Sequence, residues 1–183
     1  MAEQAHRPET LPFGPNGRVP NSRYPVLIHR GAVAAGPGVD LADAIEATFR
    51  RHDWLNNWRE RGVYDSPHFH STTHEALGRA RGPITLRLGG EGGAVVAMEA
   101  GDILVLPAGT SHTRLDHSPD SWMVGGYPEG RDWDLIRDER VTEEEARAAV
   151  KVIGSLPIPA PDPATGEVMS LGRKAPRTYG TPF

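Results

Sequence analysis

Three histidines and a carboxylate fall within eight residues, in His68-Phe69-His70-Ser71-Thr72-Thr73-His74-Glu75. In an extended strand successive side chains face opposite ways, so His68 and His70 point to the same side, about 7 Å apart along the chain. Two imidazoles at that separation can close on one ion. A straight strand cannot wrap a metal, so a third ligand has to follow a turn; Ser71-Thr72-Thr73 supplies one, and His74 and Glu75 both stand at its far end. His112, just after the turn-forming Pro107-Ala108-Gly109, offers a fourth ligand from a distant part of the chain. Imidazoles with one carboxylate suit Fe(II), Mn(II), Ni(II), Co(II) or Zn(II), and leave positions open for water or substrate.

Composition narrows the alternatives. The 183 residues contain no Cys, which excludes disulfide scaffolds, thiolate metal sites and cysteine nucleophiles. A net charge of -4 carries no electrostatic footprint for nucleic acid. No run approaches the roughly 20 apolar residues that span a bilayer, and Met1-Ala2-Glu3-Gln4-Ala5-His6-Arg7 lacks an apolar core. The expectation is a soluble cytoplasmic protein whose partners are small molecules and a second copy of itself, with neither nucleic acid nor membrane. Ser111-His112 lacks the surroundings of a nucleophile elbow, and Leu88-Gly89-Gly90-Glu91-Gly92-Gly93, with no helix after it, reads as a turn rather than a phosphate cradle.

The elements that must position these residues are mostly short strands. With 21 Gly and 17 Pro the chain is rich in turns. Ile84-Leu88 and Ala94-Met98 flank the glycines as a hairpin, Ile103-Leu106 is a buried run, and His112-Leu115 and Trp122-Tyr127 are the last strand candidates. Such spacing predicts an all-β sandwich or barrel with accessory helices. Before it, residues 1–20 read as a Pro/Gly-rich arm without its own core, and 21–61 as a strand and a helix packing on the barrel. The strand is Val26-His29, begun by Pro25. The helix spans about 41–52, capped by Asp40, with Leu41, Ile45 and Phe49 on one stripe. Trp54 and Trp58, four apart, suit a short helical turn with both indoles packed in the core. After the core of 62–127, residues 128–183 carry a second helix opened by the capping box Thr142-Glu143-Glu144-Glu145 and closed by Gly154, then an irregular Pro-rich tail. His6, His29, His52 and His117 have no partners by spacing.

The site residues also fit a known pattern. Gly62, five residues, His68-x-His70, four residues, Glu75, six residues, Gly82 resembles the first cupin motif; Gly101, five residues, Pro107-x-Gly109, two residues, His112 resembles the second. Where that motif usually ends in Asn this chain has Asp116. Across about residues 18–170 the chain further resembles the YjlB-type single-domain cupins, through Val19-Pro20-Asn21, Leu88 to Gly93, Val124-Gly125-Gly126-Tyr127-Pro128 and Asp162-Pro163-Ala164-Thr165-Gly166. The resemblance implies a double-stranded β-helix, or jelly-roll barrel, one divalent transition metal, and His68, His70, Glu75 and His112 as its ligands. His74 is the alternative to Glu75. Strand parity leaves both open, since an inward Glu75 brings Leu77, Arg79 and Arg81 with it, and an inward His74 brings Ala76, Gly78 and Ala80; the spacing to Gly82 favours Glu75. Tyr64, Arg79, Arg114 and Trp122 are candidates for the pocket around the metal.

Two functions follow as expectations. One is a metal-dependent enzyme on a small polar molecule, of isomerase, epimerase, lyase or dioxygenase type. The other is a non-catalytic, metal-stabilised binding or sensing cupin. Cupins commonly cover exposed sheet edges by pairing subunits, and the terminal arms suit a homodimer.

Overall fold

The hairpin read from Ile84 to Met98 is the clearest local element. Its strands pair antiparallel from Ile84 opposite Met98 to Leu88 opposite Ala94, and Gly89, Gly90 and Gly92 take the positive φ that the connection demands. The computed structural model of the chain describes residues 7–169; the first six residues of the arm and the tail from 170 to Phe183 lie outside them. In chain order the elements are β1 (Glu9–Leu11), β2 (Val26–His29), α1 (Leu41–Arg51), β3 (Trp54–Glu60), β4 (His68–Phe69), β5 (Glu75–Arg81), β6 (Ile84–Leu88), β7 (Ala94–Met98), β8 (Ile103–Leu106), β9 (His112–His117), β10 (Trp122–Pro128), β11 (Ile136–Arg137) and α2 (Glu143–Ser155).

Two antiparallel sheets form the jelly roll, a six-stranded one in the order β1-β2-β8-β5-β10-β3 and a five-stranded one in the order β11-β4-β9-β6-β7. Both therefore use strands from outside 62–127, and the arm contributes β1, paired to β2 from Glu9 opposite Ile28 to Leu11 opposite Val26. Between the sheets lies an apolar interior built from Val26, Ile28, Leu77, Leu86, Leu88, Leu104, Leu106 and Met123. The outer face of the six-stranded sheet carries Leu27, Ala76, Ala80, Ile103 and Val105, and packs against Ala42, Ile45 and Phe49 of α1. Because β8 is covered on both sides, its sequence is a continuous apolar run rather than an alternating one.

The same layering fixes the register of β5. Its outer residues, Ala76, Gly78 and Ala80, are small because α1 lies directly on them: a Cβ at Gly78 would come within 2.3 Å of Ile45 Cγ2. Glu75, Leu77 and Arg79 consequently turn to the interior side. The α1 helix begins as expected, with the Asp40 side chain accepting from the Ala42 amide at 2.8 Å. For α2, the Thr142 amide donates to Glu145 Oε2 at 2.7 Å, and the Glu145 amide to Thr142 Oγ1 at 3.2 Å. This helix runs one residue past Gly154 and rests its Ala146, Ala149 and Ile153 on Val19, Phe69 and Val141.

Two sequence expectations need correction. Trp54 and Trp58 stand on strand β3, not on a helical turn. Leu55 faces Tyr127 while Trp58 faces Gly125, so three steps on β3 match two on β10; Asn56 absorbs the extra residue at φ 52°, a conformation Asn tolerates. The bulge sends the two indoles to opposite faces, Trp54 into the layer under α1 and Trp58 into the interior. The indole of Trp58 lies over Gly125, where a Cβ would come within 1.9 Å of it. Second, His29 and His52 do have partners: His29 Nε2 lies 3.0 Å from Asp162 Oδ2, and His52 Nδ1 bonds the Pro163 carbonyl at 2.9 Å. Together they hold the Asp162-Pro163 loop against the barrel. Among the described residues no helix is long and apolar enough to cross a membrane.

Candidate metal centre

Pairing of β4 with β9 puts His68 directly opposite His112. The approach depends on the turn before β9, where Gly109 sits at φ +91° and donates its amide to the His70 carbonyl at 2.8 Å. Any side chain there would be strained, and its Cβ would come within 2.7 Å of the Asn21 carbonyl oxygen. The result is a buried triad: His68, His70 and His112 each offer a ring nitrogen within 4.8 Å of the others.

Each imidazole is oriented by a backbone carbonyl on its Nδ1. Ser66 accepts from His68 at 2.9 Å, Thr110 from His112 at 3.1 Å, and Asp134 from His70. A carbonyl oxygen only accepts, so Nδ1 carries the proton on all three rings and Nε2 keeps its lone pair. Glu75 approaches two of these rings from the start of β5. Its Oε2 lies 3.5 Å from His70 Nε2 and 3.4 Å from His112 Nε2. Its Oε1 accepts from the Tyr127 hydroxyl at 3.0 Å, which in turn accepts from Trp58 Nε1 at 2.9 Å. Glu75 Oε2 and His112 Nε2 are both buried and make no hydrogen bond among the described residues.

His74 is placed elsewhere. Its Nδ1 accepts from the Ala108 amide at 2.9 Å and its Nε2 donates to the Pro157 carbonyl at 3.1 Å. Both nitrogens are thereby used in fastening the β8–β9 turn and the segment after α2, on the side of β5 away from the triad.

The electrostatics follow from burial and proximity. Burial, reinforced by His112, pushes His68 down to about 3. Burial opposes charge on His70 as well, but the Glu75 carboxylate outweighs it and raises the imidazole. For Glu75, burial favours the neutral acid, while His70 and His112 hold the carboxyl well below its usual range. Burial and the neighbouring Glu75 carboxylate both push the Tyr127 hydroxyl up, keeping it a donor.

Above the triad opens a cavity of about 650 Å³, lined by Trp58, Tyr64, Arg114, Trp122, Tyr127 and Trp133 among others. Three of the four pocket candidates are there: Tyr64 at the rim with its ring edge-on to His68, centroids 5.2 Å apart, and Arg114 and Trp122 on the walls. Arg79 is not. It faces inward from β5 but lies beyond the cavity, donating to the Gly82 carbonyl at 2.5 Å, the Pro83 carbonyl at 3.0 Å and Ser121 Oγ at 2.6 Å. It ties the β5–β6 turn to the β9–β10 loop. Buried backbone carbonyls satisfy this guanidinium, so it has no need of an anion.

Sequence reasoning missed Asp134 and Trp133. The Asp134 carboxylate accepts from the Ser71 amide and hydroxyl, both at 2.6 Å, and from the Thr72 amide at 3.1 Å. These bonds from the Ser71 and Thr72 groups hold the acid below its ordinary range although burial works against them. It thus pins the turn between His70 and Glu75, while its own carbonyl orients His70. Trp133 stands 5.4 Å from the His70 ring, centroid to centroid. Both residues come from the irregular stretch between β10 and β11, where no periodicity marks them; the one available signal is the pattern Asp132-Trp133-Asp134 itself.

No family model matches the chain. Over 160 residues it is 36% identical to YjlB of Bacillus subtilis (strain 168), an uncharacterized protein, covering 87% of this chain and 91% of the relative. Among solved structures, acireductone dioxygenase from Bacillus anthracis, with a cadmium ion in its active centre, shares 13% identity over 61% of this chain and 82% of its own, with a TM-score of 0.41. A variant of oxalate decarboxylase from Bacillus subtilis shares 13% over 73% and 34%, with a TM-score of 0.38. With this identity running through nearly the whole of the Bacillus protein, and both cupin motifs lying on a two-sheet jelly roll, the chain belongs to the YjlB-like single-domain cupins.

Proposed function

We propose that His68, His70, Glu75 and His112 hold one divalent transition metal, and that the chain is a metal-dependent enzyme acting on a small polar molecule in the cavity above it. The supporting observation is the buried triad of imidazoles, each with its Nδ1 engaged by a carbonyl, two of which approach a buried carboxylate oxygen that has no hydrogen-bond partner among the described residues. Burying such lone pairs without a partner costs about 1–3 kcal/mol for each group, and a cation satisfies all of them together. Nitrogen and oxygen donors in this set suit Fe, Mn, Ni, Co or Zn. Bound there, the metal would supply Lewis-acid activation for isomerase, epimerase or lyase chemistry, or as iron a meeting point for oxygen and substrate.

The protein's own residues do the rest. Tyr127 holds Glu75 Oε1, which leaves Oε2 as the atom facing the triad. Trp58, Trp122 and Trp133 give the cavity an apolar wall, and its volume is that of a small-molecule site. Metal analysis of the protein purified from its own host tests the proposal, with Glu75→Gln and His74→Gln compared for bound metal. Glu75→Gln is expected to weaken binding, and His74→Gln to retain the metal. If His74→Gln alone empties the site, the ligand set is wrong.

We also propose a homodimer. Among the described residues β1 and β7 are edge strands, and Val95 on β7 is 61% exposed. Elution as a monomer at micromolar concentration contradicts it.

A further inference from the structure

We infer that the substrate of this site is a short-chain carboxylate, held by Arg114 through its carboxyl group while a hydroxyl or carbonyl oxygen farther along the molecule reaches the histidine centre. The inference deepens the proposed function and rests on it. Arg114 stands on β9 two residues after His112, so both side chains enter the interior from the same face, their Cα atoms about 7 Å apart. Its stem passes Gly62, where a Cβ would come within 3.5 Å of Arg114 Cδ, and its side chain is only 23% exposed.

The guanidinium has five N–H donors in a planar fork, and among the described residues its side chain makes no hydrogen bond. Its nearest acid is Asp65, with Oδ2 3.8 Å from Nη2, and that side chain is 80% exposed. A surface contact of this length contributes little. Arg79 shows the contrast in the same barrel, since its donors are taken up by the Gly82 and Pro83 carbonyls and by Ser121. Arg114 instead lines the cavity with no hydrogen bond from its fork to the described residues, and a carboxylate matches that fork bidentately. The same cavity is lined by Trp58, Trp122 and Tyr64, and by the charged Glu60, Arg61 and Asp65. With Cα atoms only ~7 Å apart, Arg114 and His112 line one cavity, where a short molecule can meet both.

The test is a calorimetric titration of the metal-loaded protein with pyruvate and malate, against their uncharged amides pyruvamide and malamide. Wild type is expected to bind at least one acid tenfold or more tightly than its amide, roughly the worth of a charge-assisted pair. Arg114→Gln is expected to abolish that preference while keeping amide affinity and metal stoichiometry; Arg114→Lys restores part of it, and Asp65→Ala leaves it intact. Equal affinity for acid and amide in wild type, failure to bind any of the acids, or an acid preference that survives in Arg114→Gln overturns the inference. Metal content is measured on the same samples. A wild type that holds no metal yet prefers acids through Arg114 would refute the metal proposal and uphold this one.

Discussion

Removing the Tyr127 hydroxyl tests the link between the barrel wall and the proposed metal centre. In Tyr127→Phe the ring stays, but two hydrogen bonds go: the one accepted from Trp58 Nε1 at 2.9 Å and the one donated to Glu75 Oε1 at 3.0 Å. Tyr127 is 2% exposed and Glu75 3%, so bulk water does not replace them. A neutral bond contributes roughly 1 kcal/mol and one to a carboxylate roughly 2, which sums to about 3 kcal/mol. Urea unfolding of the metal-stripped variant at neutral pH reads this as a lower midpoint with an unchanged slope. The second consequence concerns the metal. Without the phenol, Glu75 is free to rotate away from the orientation that presents Oε2, and loss of such an outer partner typically weakens a metal site 10–100-fold. Competition with a chromophoric chelator measures it. A stability loss below about 1 kcal/mol together with unchanged metal affinity would refute the role given to the Trp58–Tyr127–Glu75 chain.

Two further predictions follow from the same geometry. Burial keeps His68 at about 3 against 6.5 for the ordinary imidazole, so between those values the unfolded chain takes up the extra proton and stability falls as pH drops. Its share of the slope is at most about 1.4 kcal/mol per pH unit, and His68→Gln removes it; His70, shifted the other way, acts alike in both proteins. Indistinguishable slopes in urea titrations of the stripped proteins between about pH 6 and pH 4 would count against a buried neutral His68. Asp134→Ala frees the Ser71 and Thr72 groups it now binds and disturbs the carbonyl that orients His70. About 2–4 kcal/mol of stability is expected to go, with metal affinity down at least tenfold; affinity within twofold of wild type would contradict the positioning role.

Much of this was legible without coordinates because it is written in local spacing. The period of two over Ile84-Leu88, the glycines after it, the cap at Asp40 and the capping box at Thr142 act within a few residues, and each appears where the sequence puts it. The resemblance of two ordered stretches, Gly62 to Gly82 and Gly101 to His112, to the cupin motifs implied His68, His70, Glu75 and His112 as one set, with His74 the alternative to Glu75. What spacing cannot do is choose a face when both faces of a strand are covered.

That choice was made by α1. Ile45 and Phe49 lie against Gly78 and leave room only for small residues on the outer side of β5. Glu75 is thereby turned toward the triad, and His74 toward Ala108 and Pro157. The same register carries Arg79 inward, where carbonyls of the β5–β6 turn consume its donors. The bulge at Asn56, which parts Trp54 from Trp58, exists because β3 must match β10 and its glycines across the sheet. Asp134 reaches the site from an aperiodic stretch more than 60 residues after His70. Sequence alone determined which donors this chain could offer a metal, since that depends on residue type and short-range spacing. Which of them face one another was decided by helix-on-sheet packing and cross-strand pairing, between residues that are neighbours only once the chain has folded.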